Sequence, residues 1–593
     1  MIASLFAAAL VQTATPPLAP PVTNIEYEIA FSKATAANRT LVVTMRFEAG
    51  GAGSIRLSLP SWTPGAYEIS NFAKRVSGFG ASTGSANLEW DKADFDTWRI
   101  AVPRPGPVAV QFTFAADVLD NAAAWAKADF LFVNGTNVFL YPEDGDLDFP
   151  AAVTVTTEPN WSVATGMKAT GKNRFAAPSY HDLVDMPLFV GRFDVDSALV
   201  DGKSHRVASY PAGAFAGPAR RLFWDQLRRS VPVMAKVFGE TPWDHYTTLL
   251  VFDGDFGGGS ALEHQNSHLG IYSPDFIGTP ILASITAHEI FHTWNVKRLR
   301  PSDMVPYRYD VPQPTTLLWV SEGITDYYAD LALVRSGIVD STTFLNLTLE
   351  KIVEVAAVPP VALEDASVST WIQPTDGTAT IYYPKGSLAG LLLDILIRDA
   401  TENRASLDDV MRRLYQRAFK AGKGFTDADW WQTAAEVSGR RDLVDFSTRY
   451  INGREPFPYQ RIAALAGIRY VVDSIREPRI GVATSSSEAG AHVVTSIAQG
   501  SSALDAGIRI GDELVSVGDI KVDDNLGALY RSRYRQREGE KVTVVVRRGG
   551  REETLPMTVR HAVRTEPRLE YDRRAILKPA RIRQGILRGI ADR

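Results

Sequence analysis

The sequence predicts a multidomain α+β protein: an all-β, sandwich-like N-terminal domain, a mainly helical middle domain and a small β-rich module near the C-terminus. Three observations carry this. Apolar residues alternate in short runs up to about residue 212, their spacing lengthens to three and four near Pro218, and short runs return beyond about residue 463. At 593 residues the chain is too long for one core. The expected divisions are a leader over 1–20, a β domain over 21–213, a catalytic-sized domain over 214–462, the small module over 463–565 and a basic tail over 566–593.

The leader, "MIASLFAAALVQTATPP", has an apolar run too short to span a bilayer, so it reads as a cleaved export signal, although no Lys or Arg precedes the run. The expected location is therefore periplasmic or secreted. No later stretch is long and apolar enough for a membrane helix. In the β domain, "LVVTMRF" (41–47), "SIRLSLP" (54–60), "VAVQFTF" (108–114) and "AAVTVTT" (151–157) alternate between turn-forming clusters. In the middle domain, 219–239, 406–422 and 427–439 carry the spacing of amphipathic helices. The segment 491–522 reads strand, turn, small-residue helix, Gly turn, strand. Between 475 and 559 one short helix is expected. The tail holds seven basic residues from Arg573 to Arg593 and is expected to be a solvated, partly helical end.

Composition removes several classes of function. Lys and Arg number 63 against 68 Asp and Glu, a net charge of −5, which offers no electrostatic footprint for nucleic acid. There is no cysteine, so a metal must be held by His, Asp or Glu.

Such a set lies in "ITAHEIFHTWNVKRLRP" (285–301). Thr279 and Pro280 make an N-cap and first helical residue, and no breaker follows through Trp294. On that helix His288 and His292 share a face and can reach one ion, while Glu289, one position round, is placed to act on a water. A catalytic zinc needs a third protein ligand. Glu322 lies 30 positions after His292, in "LLWVSEGITDYYADLALV", and Asp326 follows four later on the same helical face, where it can accept the free N–H of a ligand histidine.

His288, Glu289, His292, Glu322 and Asp326 together resemble the site of the gluzincins, the thermolysin-like zinc peptidases. The string "HEIFHTWNVKRLRP" resembles the glycyl aminopeptidase family, whose members carry a PDZ domain near the C-terminus; the "SEG" turn and the long spacer set it apart from aminopeptidase N relatives. The resemblance implies a thermolysin-like fold for the middle domain and one zinc ion per chain. It implies that Tyr383 of "IYYPKGS" stabilises the transition state, with Tyr382 its neighbour. It also implies that "GGGSALEHQNS" (257–267) lines the cleft as an edge strand, with Gly259 and Ala261 at the substrate and Glu263 on its free ammonium. "LPSWTPGAYEISNFAKRV" (59–76) is similar to the family's N-terminal region and is read as mainly architectural. "SSALDAGIRIGDELVSV" (501–517) looks like a bacterial PDZ domain, with "EPRIGVAT" (477–484) as its peptide-binding loop and strand; capture of a polypeptide and mere packing are both open.

The expected function is a zinc aminopeptidase removing one small N-terminal residue, Gly or Ala, from peptides with a free N-terminus. Two rivals stand beside it: an endopeptidase on the same site, and a non-catalytic peptide-binding protein working through the PDZ-like module. Lys297 and Arg298 are expected to pair with acidic neighbours rather than to hold a substrate carboxylate.

Overall fold

The computed structural model describes residues 19–440, 443–486 and 490–592. The leader expected over 1–20 therefore lies outside the described residues but for its last two. The chain forms two compact units. One comprises the chain up to Ile468 together with Tyr571 onward; the other is Arg469–Glu570.

The first unit begins with an eight-stranded sheet in which Val22–Phe31, Thr40–Ala49 and Gly106–Ala115 are central neighbours. Alternation explains these strands: Leu41, Val43, Met45 and Phe47 point inward against Val108, Val110, Phe112 and Phe114, all essentially buried. Two four-stranded sheets complete the β-rich part.

A further five-stranded sheet crosses the boundary expected at residue 213. Strands Asp194–Val200 and Lys203–Tyr210 join His245–Phe252, Ser267–Tyr272 and, at the edge, Gly259–Glu263. The two earlier strands belong with the later ones because Lys203–Tyr210 pairs in parallel with His245–Phe252. A parallel pair needs a crossover, and helix Gly217–Phe238 supplies it. Alternation marks a strand without saying which sheet it joins, so the expected boundary fell one hairpin late.

Helices Pro280–Phe291, Ile324–Arg335 and Tyr382–Ala400 form the centre of the helical part. The Thr279 hydroxyl accepts from the Leu282 N–H, capping the first as its sequence predicts. A π-helical turn, Trp319–Gly323, leads into the second, where periodicity suggested a plain helix. Among the described residues no helix is long and apolar enough to cross a membrane.

The C-terminal tail differs from its expectation. Helix Lys578–Arg588 packs on the helical part with Ile582 and Ile586 buried. Arg335 Nε donates to the Ile586 carbonyl at 3.0 Å, and the buried Arg398 donates to the Ile590 carbonyl at 2.8 Å. The basic residues dominate the composition of this segment and conceal its two-residue apolar stripe.

The second unit folds its own core from Val494, Ile508, Leu514, Val517, Tyr530, Val544 and Val546. It contains the expected helix Ser502–Ala506 and also a second, Leu526–Arg533. A groove of about 340 Å³ is lined by Arg479–Val482 on one side and Leu526, Tyr530 and Arg531 on the other.

Candidate metal centre

His288 and His292 project from the end of helix Pro280–Phe291, and Glu322 from the π-helical turn. Their atoms converge. His292 Nε2 lies 2.9 Å from His288 Nε2 and 3.1 Å from Glu322 Oε2, and His288 Nε2 lies 3.5 Å from the same oxygen. Ligand atoms about 2.0–2.1 Å from one tetrahedral ion lie about 3.3 Å from one another. The triangle, made of two imidazoles and a carboxylate with His288 on its more open side, fits a divalent metal such as zinc.

Charge in the pocket suits a cation. Burial opposes the His292 imidazolium, but the Glu322, Glu263 and Glu289 carboxylates together outweigh it and push its pKa up to about 10. Burial likewise resists ionisation of Glu322, and His292 and His288 together outweigh it, holding the carboxyl well below its usual range.

The supporting contacts come from several places. His292 Nδ1 donates to the Asn295 carbonyl at 2.9 Å, which leaves Nε2 facing the triangle. The Asn295 amide in turn donates to the Val320 carbonyl at 2.8 Å and the Thr325 hydroxyl at 2.9 Å, tying the turn that carries Glu322 to the histidine helix. Asp326 Oδ1 lies 3.8 Å from His288 Nδ1, while its other oxygen pairs with Lys351 at 2.6 Å. Glu289 is 4% exposed, with one carboxylate oxygen unpartnered. Burial pushes its carboxyl up to about 8, against the pull of His292.

Tyr383 stands with its ring 6.0 Å from that of His288, whereas Tyr382 is buried with its hydroxyl 3.4 Å from Thr370. Burial, with Glu322 nearby, raises the Tyr383 phenol well above its ordinary value, so it is a donor at neutral pH.

Gly259–Glu263 is the edge strand of its sheet. Its details differ from the expected substrate contacts at Gly259 and Ala261. The Ala261 carbonyl accepts from Asn121 Nδ2 at 2.7 Å and is already engaged. A Cβ at Gly259 would lie 2.7 Å from the Phe276 ring, so glycine there makes room for Phe276 rather than for a peptide on that side. Glu263 and His264 are buried. Glu263 lies with Glu289 and His292 in a cluster whose ligand atoms are all within 4.8 Å. Lys297 Nζ is 3.8 Å from Glu263 but 2.8 Å from Asp185, its principal partner. Burial opposes the Lys297 cation; Asp185, with Glu263 and Tyr307, outweighs it and raises its pKa. Arg298 departs from the expected acidic pairing: it donates to the Thr293, Gln265 and Pro242 carbonyls and to the Asn266 side chain, stapling loops together.

The segment 59–76 is more than architectural. Tyr67 Oη donates to Glu322 Oε1 at 2.6 Å, and a Cβ on Gly65 would lie 2.5 Å from Glu263 Oε2. Nothing in the spacing of "SWTPGAYEIS" announces this; its one signal is a buried aromatic beside Pro and Gly, away from any strand.

With this geometry in hand, comparison with known proteins is informative. The profile of the Peptidase M61 N-terminal domain matches residues 26–192, that of M61 glycyl aminopeptidase matches 282–389 and that of the PDZ domain matches 478–559. No curated protein matches the sequence. Among solved structures, an aminopeptidase N family protein from Idiomarina loihiensis is 24% identical with a TM-score of 0.81, covering 95% of this chain and 100% of its own, so the fold is shared. An M1 zinc metallopeptidase from Deinococcus radiodurans is 16% identical with a TM-score of 0.48, covering 76% of this chain and 97% of its own. The chain is thus a metallopeptidase whose residues 26–192 and 282–389 match the two M61 glycyl aminopeptidase domain models, followed by a PDZ domain at 478–559.

Proposed function

We propose that the protein is a zinc-dependent aminopeptidase hydrolysing the first peptide bond of peptides with a free N-terminus, with Glu289 as general base. One observation carries the exopeptidase reading. The buried Glu263 carboxylate, with Oε1 lacking a hydrogen-bond partner, lies within 4.8 Å of Glu289 and His292 at their ligand atoms. An α-amino nitrogen and the carbonyl carbon of its own residue are two bonds, about 2.5 Å, apart. An ammonium held by Glu263 therefore brings only the first carbonyl beside His288, His292 and Glu322. Gly65 packs directly against that carboxylate, with no space for a side chain between them.

His288, His292 and Glu322 would hold one zinc, which when bound would supply Lewis acidity toward the scissile carbonyl and acidify a water. Glu289 takes the proton of the attacking water and delivers it to the leaving amine. Tyr383 donates to the developing oxyanion. Asp326 orients His288. Lys297 pairs chiefly with Asp185, which leaves Glu263 Oε1 without a hydrogen bond and open to the substrate. A preference for Gly or Ala follows from the family, and the PDZ domain holds polypeptide in the groove between Val482 and Tyr530.

The test compares one Ala- or Gly-initiated peptide, free and N-acetylated, with wild type and Glu289→Gln. The free peptide should lose residues singly from its N-terminus and the acetylated one should stay intact. Glu289→Gln should keep its zinc and lose about 10²–10⁴-fold in kcat. Equal cleavage of both peptides would establish an endopeptidase, and stoichiometric zinc without turnover would restore the peptide-binding rival.

A further inference from the structure

We propose that Tyr67, from the N-terminal β domain, is a positioning residue for the metal site: its phenol fixes the Glu322 carboxylate so that Oε2 faces the two imidazoles. The proposal rests on the reading of His288, His292 and Glu322 as the metal ligands.

The two oxygens of Glu322 are divided between separate tasks. Oε1 accepts from the Tyr67 hydroxyl at 2.6 Å, and Oε2 is the oxygen within 3.1 and 3.5 Å of the histidines. Glu322 is 2% exposed, so water cannot replace the phenol without opening the site. A carboxylate that is free to rotate about its last bond would present either oxygen, or both, to the histidines. A hydroxyl donor on one of them removes that freedom, and a donor to a charged acceptor in a dry pocket is the stronger kind of hydrogen bond.

Tyr67 is held in an unfavourable backbone conformation to do this. Its φ is 52°, in the left-handed region that costs a bulky residue about 1–2 kcal/mol. Such a conformation persists where the surroundings over-determine it, and here they do. The Ser61 N–H donates to the Tyr309 carbonyl at 2.7 Å, Trp62 Nε1 to the Arg308 carbonyl at 2.8 Å, and the Thr63 hydroxyl to the Ala122 carbonyl at 3.1 Å. Trp371 packs edge-on against both Trp62 and Tyr67, with centroids 5.1 and 6.2 Å apart. Gly65, two residues before Tyr67, has a φ of 107° and lies against Glu263. A loop clamped by both parts of the unit thus ends on the third metal ligand, 255 positions away in sequence.

The experiment titrates zinc into metal-free protein against a chromophoric chelator, for wild type, Tyr67→Phe, Glu322→Gln and the double variant, and measures the melting temperature of each without metal. Tyr67→Phe should weaken zinc binding about 10–100-fold, with the metal-free melting temperature lowered by no more than the loss of one buried hydrogen bond. It should add nothing in the Glu322→Gln background, because Tyr67 acts through that carboxylate. Zinc affinity within about twofold of wild type, far short of the outer-contact effect, would overturn the role of Tyr67 while the ligand set stands. So would an equal effect in both backgrounds. If Glu322→Gln binds zinc as wild type does, the ligand set itself is wrong and the proposal falls with it.

Discussion

His205 and His268 are buried on the two strands that flank His245–Phe252, each beside Tyr246. Neither is at the metal centre. Burial lowers the pKa of His205 from 6.5 to about 4 and that of His268 from 6.5 to about 3. Both nitrogens of His205 lack partners, whereas Nδ1 of His268 meets the Tyr246 hydroxyl at 3.0 Å. The unfolded chain binds protons at both positions below about pH 6.5, and the folded chain does not until near pH 4 and 3. Their stabilising contribution is therefore full above about pH 6.5 and is lost as the pH falls below it. At pH 5 the loss is about 2 kcal/mol for each. His205→Phe, which keeps an aromatic ring against Trp243 and Tyr246, should flatten the fall in melting temperature between pH 7 and 5. A fall as steep as that of wild type would show that His205 takes no part in it. The sequence separates these histidines from His288 and His292 by the missing i, i+4 pair with an adjacent glutamate on one helix; burial then decides how they titrate.

At the scale of elements, the crossing of the Glu322 turn with helix Tyr382–Ala400 sets which groups share the site. A Cβ on Gly323 would lie 2.5 Å from Gly386 Cα and from the Tyr382 carbonyl, and one on Gly386 would lie 2.8 Å from the Trp319 carbonyl. The backbones touch without side chains between them. Glu322 is next to one glycine and Tyr383 is three residues before the other, so the spacing of the crossing is also the spacing of those two side chains. Within an ordinary helix Gly→Ala stabilises by about 1 kcal/mol. Gly386→Ala should do the reverse, costing about 1–3 kcal/mol from overpacking, and should lower kcat/KM because Tyr383 is displaced from the metal triangle. Melting temperature and kinetics measured on the same preparation check both, and a stabilised, fully active variant would refute the argument. The helices themselves were legible from spacing, capping and length. The π-helical turn was not, because its extra residue per turn answers to the need to aim Glu322 and leaves no trace in the apolar pattern.

For the whole molecule, the first unit is closed by a segment from the far end of the chain. Helix Lys578–Arg588 buries Ile582 and Ile586 and supplies the Ile586 carbonyl to Arg335, and Ile590 just beyond it supplies a carbonyl to Arg398. Burial of two isoleucines contributes about 3–6 kcal/mol. A chain ending at Glu570 should melt a few degrees lower than the full chain by circular dichroism, and an unchanged melting curve would show that the helix is only laid on the surface. The charge-rich composition pointed to a solvated end because a stripe of two apolar residues in eleven is too weak a pattern to outweigh its arginines.

What the sequence determined by itself is what acts over a few residues. Alternation marked the strands, a capped helix put His288 and His292 on one face, and the run before Ser321-Glu322-Gly323 marked a second helix that carries a carboxylate. These follow from backbone geometry and side-chain period, which any short segment carries with it. The tertiary structure alone decided the rest: that Tyr67 reaches Glu322, that Gly65 covers Glu263, that Asp185 rather than substrate takes Lys297, and that the tail closes the first unit. Those contacts join residues tens to hundreds of positions apart, and the pairing arises when packed surfaces meet, which no local period encodes.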